Sequence, residues 1–222
     1  MPWGKTNYQR FFPSLTWQVE PQIAKVAAEL PAGGRIVDLG AGGRKITPDT
    51  LCVDFIPFPN TDVVGNCEAL PFATGSIDMI FGTGLLEHVE DDRAVLSEVS
   101  RVLKPGGVAH MEVPFLQQYH DDPIDNRRFT VPGLARAMER VGLETVDSGF
   151  HIGPTVTIIT LWTYYVSLWL EGPTKIQKAL STGLFLLSSI VCWPLKFLDR
   201  LLLNKRSAHR LAYGVYCSSR KP

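Results

Sequence analysis

The sequence contains few cysteines, no excess of charge of either sign and no apolar stretch near its N-terminus. Its four cysteines are scattered and form no C-x-x-C pair or Cys/His cluster, which argues against a disulfide framework and predicts no bound metal. Because 22 basic residues balance 22 acidic ones, no basic field exists for a nucleic acid partner. The first residues of the chain lack the apolar core of a signal peptide, so we expect the domain in the cytoplasm.

The composition that remains, 45% hydrophobic over 222 residues, is typical of an α/β domain with a sizeable core. Residues 20–150 alternate short β-type runs with helical patterns, which predicts a parallel sheet built from βαβ units. Residues 155–203 are much more apolar, and residues 208–219 return to strand character. We therefore predict a single domain over residues 1–222 that contains an apolar helical insertion at 155–205.

Strands are predicted at residues 35–39, 51–54, 62–64, 77–81, 108–113, 143–148 and 211–218. Helices are predicted over residues 21–30, 95–103 and 130–142, from apolar side chains at helical spacing. The expected boundary residues are Pro21 in the first helix, Asp91 or Asp92 as cap of the second, Lys104-Pro105-Gly106-Gly107 at its end, Thr130 as cap of the third and Gly142 after it.

A glycine-rich turn follows the first predicted strand. Gly40 and Gly42 let the backbone approach a ligand closely, and ligands of such sheets bind beyond the carboxyl ends of the strands. A dinucleotide fingerprint would need glycine at position 45, where this chain has Lys45. Asp38 also argues against a pyrophosphate, because a carboxylate repels phosphate but can hold a cationic amino-acid end.

Polar residues near the ends of later strands add to this pattern. Asp54 ends the second strand, where a carboxylate can accept hydrogen bonds from both ribose hydroxyls. Asn66 can accept one from an exocyclic amine such as that of adenine. A lone Asp or Asn in a loop is usually a turn or a cap. Here such residues follow one another at successive strands, which favours a cofactor site.

These motifs resemble those of the class I S-adenosylmethionine-dependent methyltransferases, especially the "methyltransferase type 11" group. The resemblance covers about residues 33–150 and the last strand, and its motifs are Asp38–Gly42, Asp54, Asn66–Phe72, Leu86–Val89 and Arg101–Gly107. It implies a doubly wound α/β fold with a seven-stranded, mostly parallel sheet of order 3-2-1-4-5-7-6, in which strand 7 is antiparallel.

The resemblance also implies S-adenosyl-L-methionine as the cofactor. Its methionine part would lie near Asp38, Gly40 and Gly42, its ribose near Asp54 and its adenine near Asn66 and Cys67. The sequence departs from the family pattern at two positions. Asn66 stands where Asp is frequent, and Arg44 replaces the third glycine of D-x-G-x-G-x-G.

Two loops offer a base for a hydroxyl or amine acceptor. The first, Thr83–His88, follows the fourth strand, so Thr83 is expected at the cofactor cleft. His88 is expected to be either a base or a residue that pins the loop by hydrogen bonding. The second loop, residues 114–130, is long and rich in His, Asp, Arg and Tyr. It resembles a P-F-x-x-x-x-H-x-D-P-x-D-x-x-R-F-T stretch of a bacterial subset that is often encoded among surface-polysaccharide genes.

In this second loop we predict His120 as a base and Asp125 as the carboxylate that orients it. Tyr119 and Arg128 are predicted to bind the substrate, with Arg128 holding an anionic group through two hydrogen bonds. The alternative is an internal salt-bridge network that shapes the loop.

Two uncharged runs, Thr155–Leu170 and Ala179–Leu195, flank a turn region and predict a helical hairpin between the sixth and seventh strands. Each run is near the lower limit of a membrane span, and Pro194 interrupts the second. Three interpretations stay open: a hairpin that dips into one face of a bilayer, a hairpin of two spans, and a lid or dimer interface packed on protein.

The function predicted from these features is methyl transfer from S-adenosylmethionine at the cytoplasmic face of the inner membrane. O-methylation of a glycan or lipid-linked intermediate is the first hypothesis. The alternatives are a soluble small-molecule methyltransferase and a non-catalytic, cofactor-binding partner protein. The sequence names neither the acceptor nor the oligomeric state.

Overall fold

A computed structural model describes residues 23–28, 33–120 and 124–222. Its strands form one seven-stranded sheet of order β3-β2-β1-β4-β5-β7-β6, which confirms the predicted fold. Strands β1 to β5 pair in parallel, and β7 runs antiparallel to both of its neighbours. The strands are β1 (Ile36–Leu39), β2 (Leu51–Asp54), β3 (Val63–Val64), β4 (Ile77–Thr83), β5 (Leu103–Pro114), β6 (Glu144–Phe150) and β7 (Gly214–Arg220).

The longer helices begin where polar side chains satisfy their first backbone N–H groups. They are α1 (Asp92–Val102), α2 (Val131–Glu139), α3 (Pro154–Leu168) and α4 (Lys175–Cys192). The short α5 (Asp199–Leu202) has no side-chain cap among the described residues. The Asp91 carboxylate accepts from two N–H groups of α1, which decides between the two predicted caps, and the Thr130 hydroxyl caps α2 as predicted. Residues 23–27 are helical as predicted, whereas Pro21 and Leu30 lie outside the described residues.

The chain divides into two compact units. The sheet unit comprises the described residues of the ranges 21–115, 119–150 and 214–222, and the hairpin unit comprises the described ranges 116–118 and 151–213. In the core of the sheet unit, β1 and β4 contribute fully buried Val37, Leu39 and Ile80, and α1 and α2 contribute Val99 and Leu134. Full burial of each such side chain stabilises the fold by about 1.5–3 kcal/mol.

The start of β5 differs from the prediction. We expected Lys104–Gly107 to form a turn before a strand at Val108, but β5 already pairs at Leu103, opposite Ile77. The register then shifts, so that Val108 lies opposite Met79. Residues 104–107 are therefore an irregularity within the strand. Gly107 permits it, because a Cβ there would lie 2.9 Å from the Lys104 carbonyl oxygen.

The hairpin unit contains the predicted helical insertion. Helix α4 ends at Cys192, and Pro194 falls in a 3-10 segment, Trp193–Leu198, as its ring chemistry requires. The buried Asp199 carboxylate accepts from the backbone N–H of Thr155 at 2.8 Å and so caps α3 from the far end of the hairpin. Lys175–Leu202 is long and apolar enough to cross a membrane, by length and composition alone, and only 11% of its apolar window is buried.

Candidate active site

The glycine loop lies at the carboxyl ends of β1 and β2. Gly40, Gly42 and Gly43 have φ angles of +66°, +58° and +82°, in the left-handed region that favours glycine. The Gly42 N–H donates to Oδ2 of Asp54 at 2.9 Å, and the Gly40 N–H donates to the Val53 carbonyl at 2.8 Å. A Cβ at Gly42 would meet no atom within 4 Å, so the loop borders open space.

The residues predicted at the ribose and adenine have local structural partners. Oδ1 of Asp54 accepts from the Ile56 N–H at 2.9 Å, so this carboxylate holds the loop on both sides. Oδ1 of Asn66 accepts from the Glu68 N–H at 2.9 Å in a turn of the kind that lone Asn residues form. Cys67 is buried, and burial raises the pKa of its thiol to about 11. Cys67 is therefore a neutral, apolar side chain. The cofactor contacts of Asp54, Asn66 and Cys67 stay predictions.

Asp38 is fully buried and forms an ion pair with Arg44, whose Nη2 lies 3.0 Å from Oδ2 of Asp38. Burial raises the pKa of Asp38, although the charge and hydrogen bond of Arg44 oppose the rise. Arg44 stands where the family pattern has glycine, and its guanidinium places positive charge beside the carboxylate that is predicted to hold the cofactor's amino group.

The residues at this edge of the sheet fit S-adenosylmethionine. The Asp38 carboxylate suits a cationic amino-acid end, and the space at Gly42 admits a ligand close to the backbone. The hydroxyl of Thr83, at the end of β4, is buried and has no hydrogen-bond partner within the described part of the chain. An orphaned buried hydroxyl needs an explanation, and a bound polar ligand supplies one.

A second cluster follows β4. Glu87 lies in a 3-10 turn, Leu86–His88, and is only 2% exposed. Its Oε1 lies 3.7 Å from Nε2 of His88 and 4.0 Å from Nε2 of His120. Burial raises the pKa of Glu87 to about 7. Sequence reasoning missed this residue, although it stands between Leu86 and His88 in a motif that carries the family resemblance.

The predicted pair of His120 and Asp125 is present in the structure. Nδ1 of His120 lies 3.2 Å from Oδ2 of Asp125, which also accepts from the His120 backbone N–H at 2.8 Å. Burial alone would raise the pKa of Asp125, but hydrogen bonds from Arg128 and from that backbone lower it to about 2. Asp125 is therefore an anion that orients the imidazole, as in other His–carboxylate pairs.

The remaining predicted residues divide between the two interpretations of the loop. Both terminal nitrogens of Arg128 bind Asp125, which favours the internal salt-bridge network over substrate binding by this residue. His88 contacts the Ile124 carbonyl through Nδ1 and so pins the loop. Tyr119 is 69% exposed. Residues 121–123 of the same loop lie outside the described residues. Base and substrate-binding roles in this loop stay predictions.

The chain is similar to known methyltransferases. Residues 39–111 match the family model described as "Methyltransferase domain". A malonyl-[acyl-carrier protein] O-methyltransferase of Methylococcus capsulatus is 34% identical over 99 residues, which are 35% of this chain and 36% of that protein. A trans-aconitate 2-methyltransferase of Acidovorax ebreus is 29% identical over 134 residues, which are 50% of each chain. The match thus spans half or less of these relatives.

The same fold occurs in a solved structure, the 1,6-didemethyltoxoflavin-N1-methyltransferase of Burkholderia thailandensis with bound 1,6-didemethyltoxoflavin and S-adenosylhomocysteine. The two structures align with a TM-score of 0.55 and 16% sequence identity, over 93% of this chain and 80% of that one. The strand order and this structural likeness show that the chain has the fold of the class I methyltransferases, and residues 39–111 are similar to the methyltransferase domain of proteins that use S-adenosylmethionine.

Proposed function

We propose that the protein transfers the methyl group of S-adenosylmethionine to an oxygen atom of its acceptor. The observation that carries this proposal is that Asp38 and the glycine loop share one edge of the sheet with the cluster of Glu87, His88 and His120. Asp38 and the glycine loop suit a cationic donor, and the histidine cluster suits removal of a proton from a hydroxyl. The O-methyltransferase among the relatives supports an oxygen acceptor.

In this reaction His120, oriented by Asp125, takes the hydroxyl proton. The acceptor oxygen then forms the new bond to the methyl carbon, and the electron pair of the broken carbon–sulfur bond stays on the sulfur. Since the donor is already activated, alignment and exclusion of water supply much of the remaining rate.

We propose that the protein acts at a membrane surface. The support comes from the hairpin unit, whose hydroxyl side chains face inward while many apolar side chains face outward. In α3 the buried positions include Thr157, Thr160, Thr163 and Ser167 beside Val156 and Ile159, whereas its other bulky apolar side chains are exposed or half-buried. Each of these four hydroxyls donates to a carbonyl of its own helix at 2.7 to 3.1 Å, so none requires water. Helices that pack through small hydroxyl residues and turn apolar residues outward are typical of membrane proteins.

The second helix continues this pattern. Its buried residue is Ser189, whose hydroxyl donates to a carbonyl of the same helix, and Ser181 donates across to the Ser167 carbonyl of α3 at 2.9 Å. Outward-facing Ile176 and Val191 are 73% and 67% exposed. Isolated exposed apolar residues are common, but a contiguous apolar surface marks an interaction site.

Aromatic and basic residues of the hairpin fit the boundary of a bilayer. Trp162, Tyr165 and Trp169 are exposed, and such amphipathic rings favour the headgroup level. Exposed basic side chains follow the second helix and suit anionic headgroups; they are Arg200, Lys205, Arg206 and Arg210.

The length of α3 favours a hairpin that enters one leaflet over a pair of spans. Its 15 residues extend about 22 Å, whereas the hydrocarbon core is about 30 Å thick. The strands on either side, β6 and β7, are neighbours in one sheet, so the hairpin must return to the side on which it started. An acceptor that is a lipid-linked or glycan intermediate at the cytoplasmic face would be consistent with this placement.

The alternative is a soluble enzyme for a small acid whose hairpin is a lid or dimer interface. It is favoured by the trans-aconitate methyltransferase among the relatives.

Flotation with vesicles of anionic phospholipid separates the membrane-bound enzyme from the soluble one. We expect the full chain to float, and Trp162→Ser with Trp169→Ser to float at least several-fold less. Val146→Ser, which removes a 56% exposed apolar side chain from the sheet unit, is the matched control. A wild-type protein that stays at the bottom contradicts membrane binding.

Calorimetry with S-adenosylhomocysteine tests the cofactor site, and the proposal fails if the folded protein does not bind it. Incubation of membranes with methyl-labelled donor then tests transfer. Label in a lipid-extractable glycan supports the proposed acceptor, and label in small water-soluble acids supports the alternative. His120→Ala should lower transfer by at least about 100-fold, the usual contribution of a general base. His209→Ala, at an exposed histidine of the hairpin unit, is its control.

A further inference from the structure

Three potential ligand atoms converge beside β4. They are Oε1 of Glu87 and one ring nitrogen each of His88 and His120, and all lie within 4.8 Å of one another. Ligands of an ion with bonds of about 2.0–2.2 Å lie roughly 3–3.5 Å apart. The observed separations of 3.7 and 4.0 Å between the carboxylate and the two imidazoles would therefore need to contract only slightly.

Each histidine is held by its other ring nitrogen, so that Nε2 faces the cluster. Nδ1 of His88 binds the Ile124 carbonyl, which can only accept, so the proton lies on Nδ1 and the lone pair on Nε2. Nδ1 of His120 lies 3.2 Å from Asp125, which Arg128 in turn holds. Carbonyl and carboxylate partners on the distal nitrogen are the usual support of histidines that bind a metal.

Within the described part of the chain, the third ligand has a buried carboxylate oxygen that no hydrogen bond satisfies. Glu87 is 2% exposed, and its Oε2 is buried with no hydrogen-bond partner within the described part of the chain. A buried carboxylate is costly unless it is paired or coordinates a metal. This orphaned oxygen is an observation independent of the histidine geometry, and it points to a cation.

We propose that Glu87, His88 and His120 bind one divalent cation of the zinc or cobalt class. Two imidazole nitrogens and one carboxylate oxygen suit these borderline ions better than magnesium or calcium, which prefer oxygen ligands. The expectation of no metal followed from the absence of a Cys/His cluster in the sequence. The fold brings Glu87 and His88 of one loop together with His120 of another.

Three protein ligands leave coordination positions open for water or for an oxygen of the acceptor. This part of the inference rests on the proposed function. An acceptor hydroxyl bound to the ion would lose its proton to solvent because the ion lowers its pKa. In the metal-bound protein His120 would be a ligand and solvent would take the hydroxyl proton, so His120 would take that proton only in the metal-free protein.

The test uses the full chain, stripped with a chelator and titrated with Co²⁺ while visible absorption is recorded. We expect one equivalent to bind and Zn²⁺ to displace it. E87Q and H120Q should each weaken binding by at least about 100-fold, and D125N, which removes the charge of the carboxylate that supports His120, by about 10–100-fold. H209Q should bind as the wild type does. X-ray absorption of the zinc-loaded wild type should show imidazole ligands.

Failure of the wild type to bind Co²⁺ or Zn²⁺ stoichiometrically overturns the proposal, as does E87Q binding equal to wild type. X-ray absorption without imidazole ligands also overturns it, and that measurement needs no variant to fold. Binding of S-adenosylhomocysteine by each variant, measured by calorimetry, shows that its sheet unit is intact. Cation binding without methyl transfer would refute the proposed function alone, and transfer by a protein that binds no cation would refute the metal site alone.

Discussion

Replacement of Arg44 by glutamine removes the cation that lies against a fully buried carboxylate. The Asp38 side chain is 0% exposed and that of Arg44 is 42% exposed. Loss of one partner of a fully buried pair costs about 3–5 kcal/mol, and loss of an exposed pair costs about 0.2–1 kcal/mol. The intermediate burial of this pair places the expected loss in the free energy of unfolding at about 2 kcal/mol.

Urea unfolding of the cofactor-free protein at neutral pH measures this loss. K45Q is the matched control, because Lys45 pairs with Asp62 at the same 3.0 Å but both side chains are about one-third exposed. Its loss should be clearly smaller than that of R44Q, because water screens the exposed pair. In the double variant D38N/R44Q no buried charge is left unpaired, so it should be more stable than R44Q alone.

Saturating S-adenosylhomocysteine should restore part of the stability of R44Q, because its ammonium group supplies a cation to Asp38 and ligand binding favours the folded state. The reasoning is refuted if R44Q loses no more stability than K45Q, or if D38N gives R44Q no relief. Either result would mean that Asp38 does not need a positive partner.

Three further substitutions test other parts of the structure. The Lys104 hydrogen bond lowers the pKa of Asp78, so its stabilisation is present above the unfolded pKa and is lost as pH falls through the folded value. D78N should therefore cost about 1 kcal/mol at neutral pH and progressively less as pH falls below about 4, by urea unfolding across that range. Gly153→Ala places a Cβ 2.5 Å from the Asp199 carboxylate, and loss of that helix cap should cost about 1 kcal/mol; an unchanged thermal midpoint would argue against the cap. Thr83→Val should leave cofactor-free stability unchanged or slightly higher and weaken S-adenosylhomocysteine about fivefold, the effect of a hydrogen bond of about 1 kcal/mol; equal affinity would remove Thr83 from the site.

The sheet could be predicted because its information is local. Apolar strands, glycine turns and helix caps such as Thr130 are read within a few residues, and the strand order followed from the family resemblance. The start of β5 could not be read in this way. Whether Lys104–Gly107 ends a helix or bulges within a strand depends on the space at Gly107, which is set by the Asp78 carbonyl of a neighbouring strand.

The candidate site was predictable in its residue types but not in their partners. His120 and Asp125 pair as predicted, since five residues of loop can bring a backbone N–H and an imidazole to one carboxylate. Arg128 has the same charge whether it binds a substrate or Asp125, so the sequence left both possibilities open. Glu87 was missed because burial, which gives it an unusual pKa, is a property of the folded chain.

The hairpin shows most clearly what the order of residues alone leaves open. An uncharged helix can be the core of a soluble protein or the surface of a membrane protein, and both have the same composition. The property on which the proposed membrane contact rests is which side chains face inward. In α3 the threonines at 157, 160 and 163 are buried with their hydroxyls bound to their own helix, while Trp169 is 73% exposed. In water such an arrangement leaves apolar area unburied that threonine cannot compensate. In the acyl region of a bilayer that area incurs no such cost, and the hydroxyl face is the side that packs.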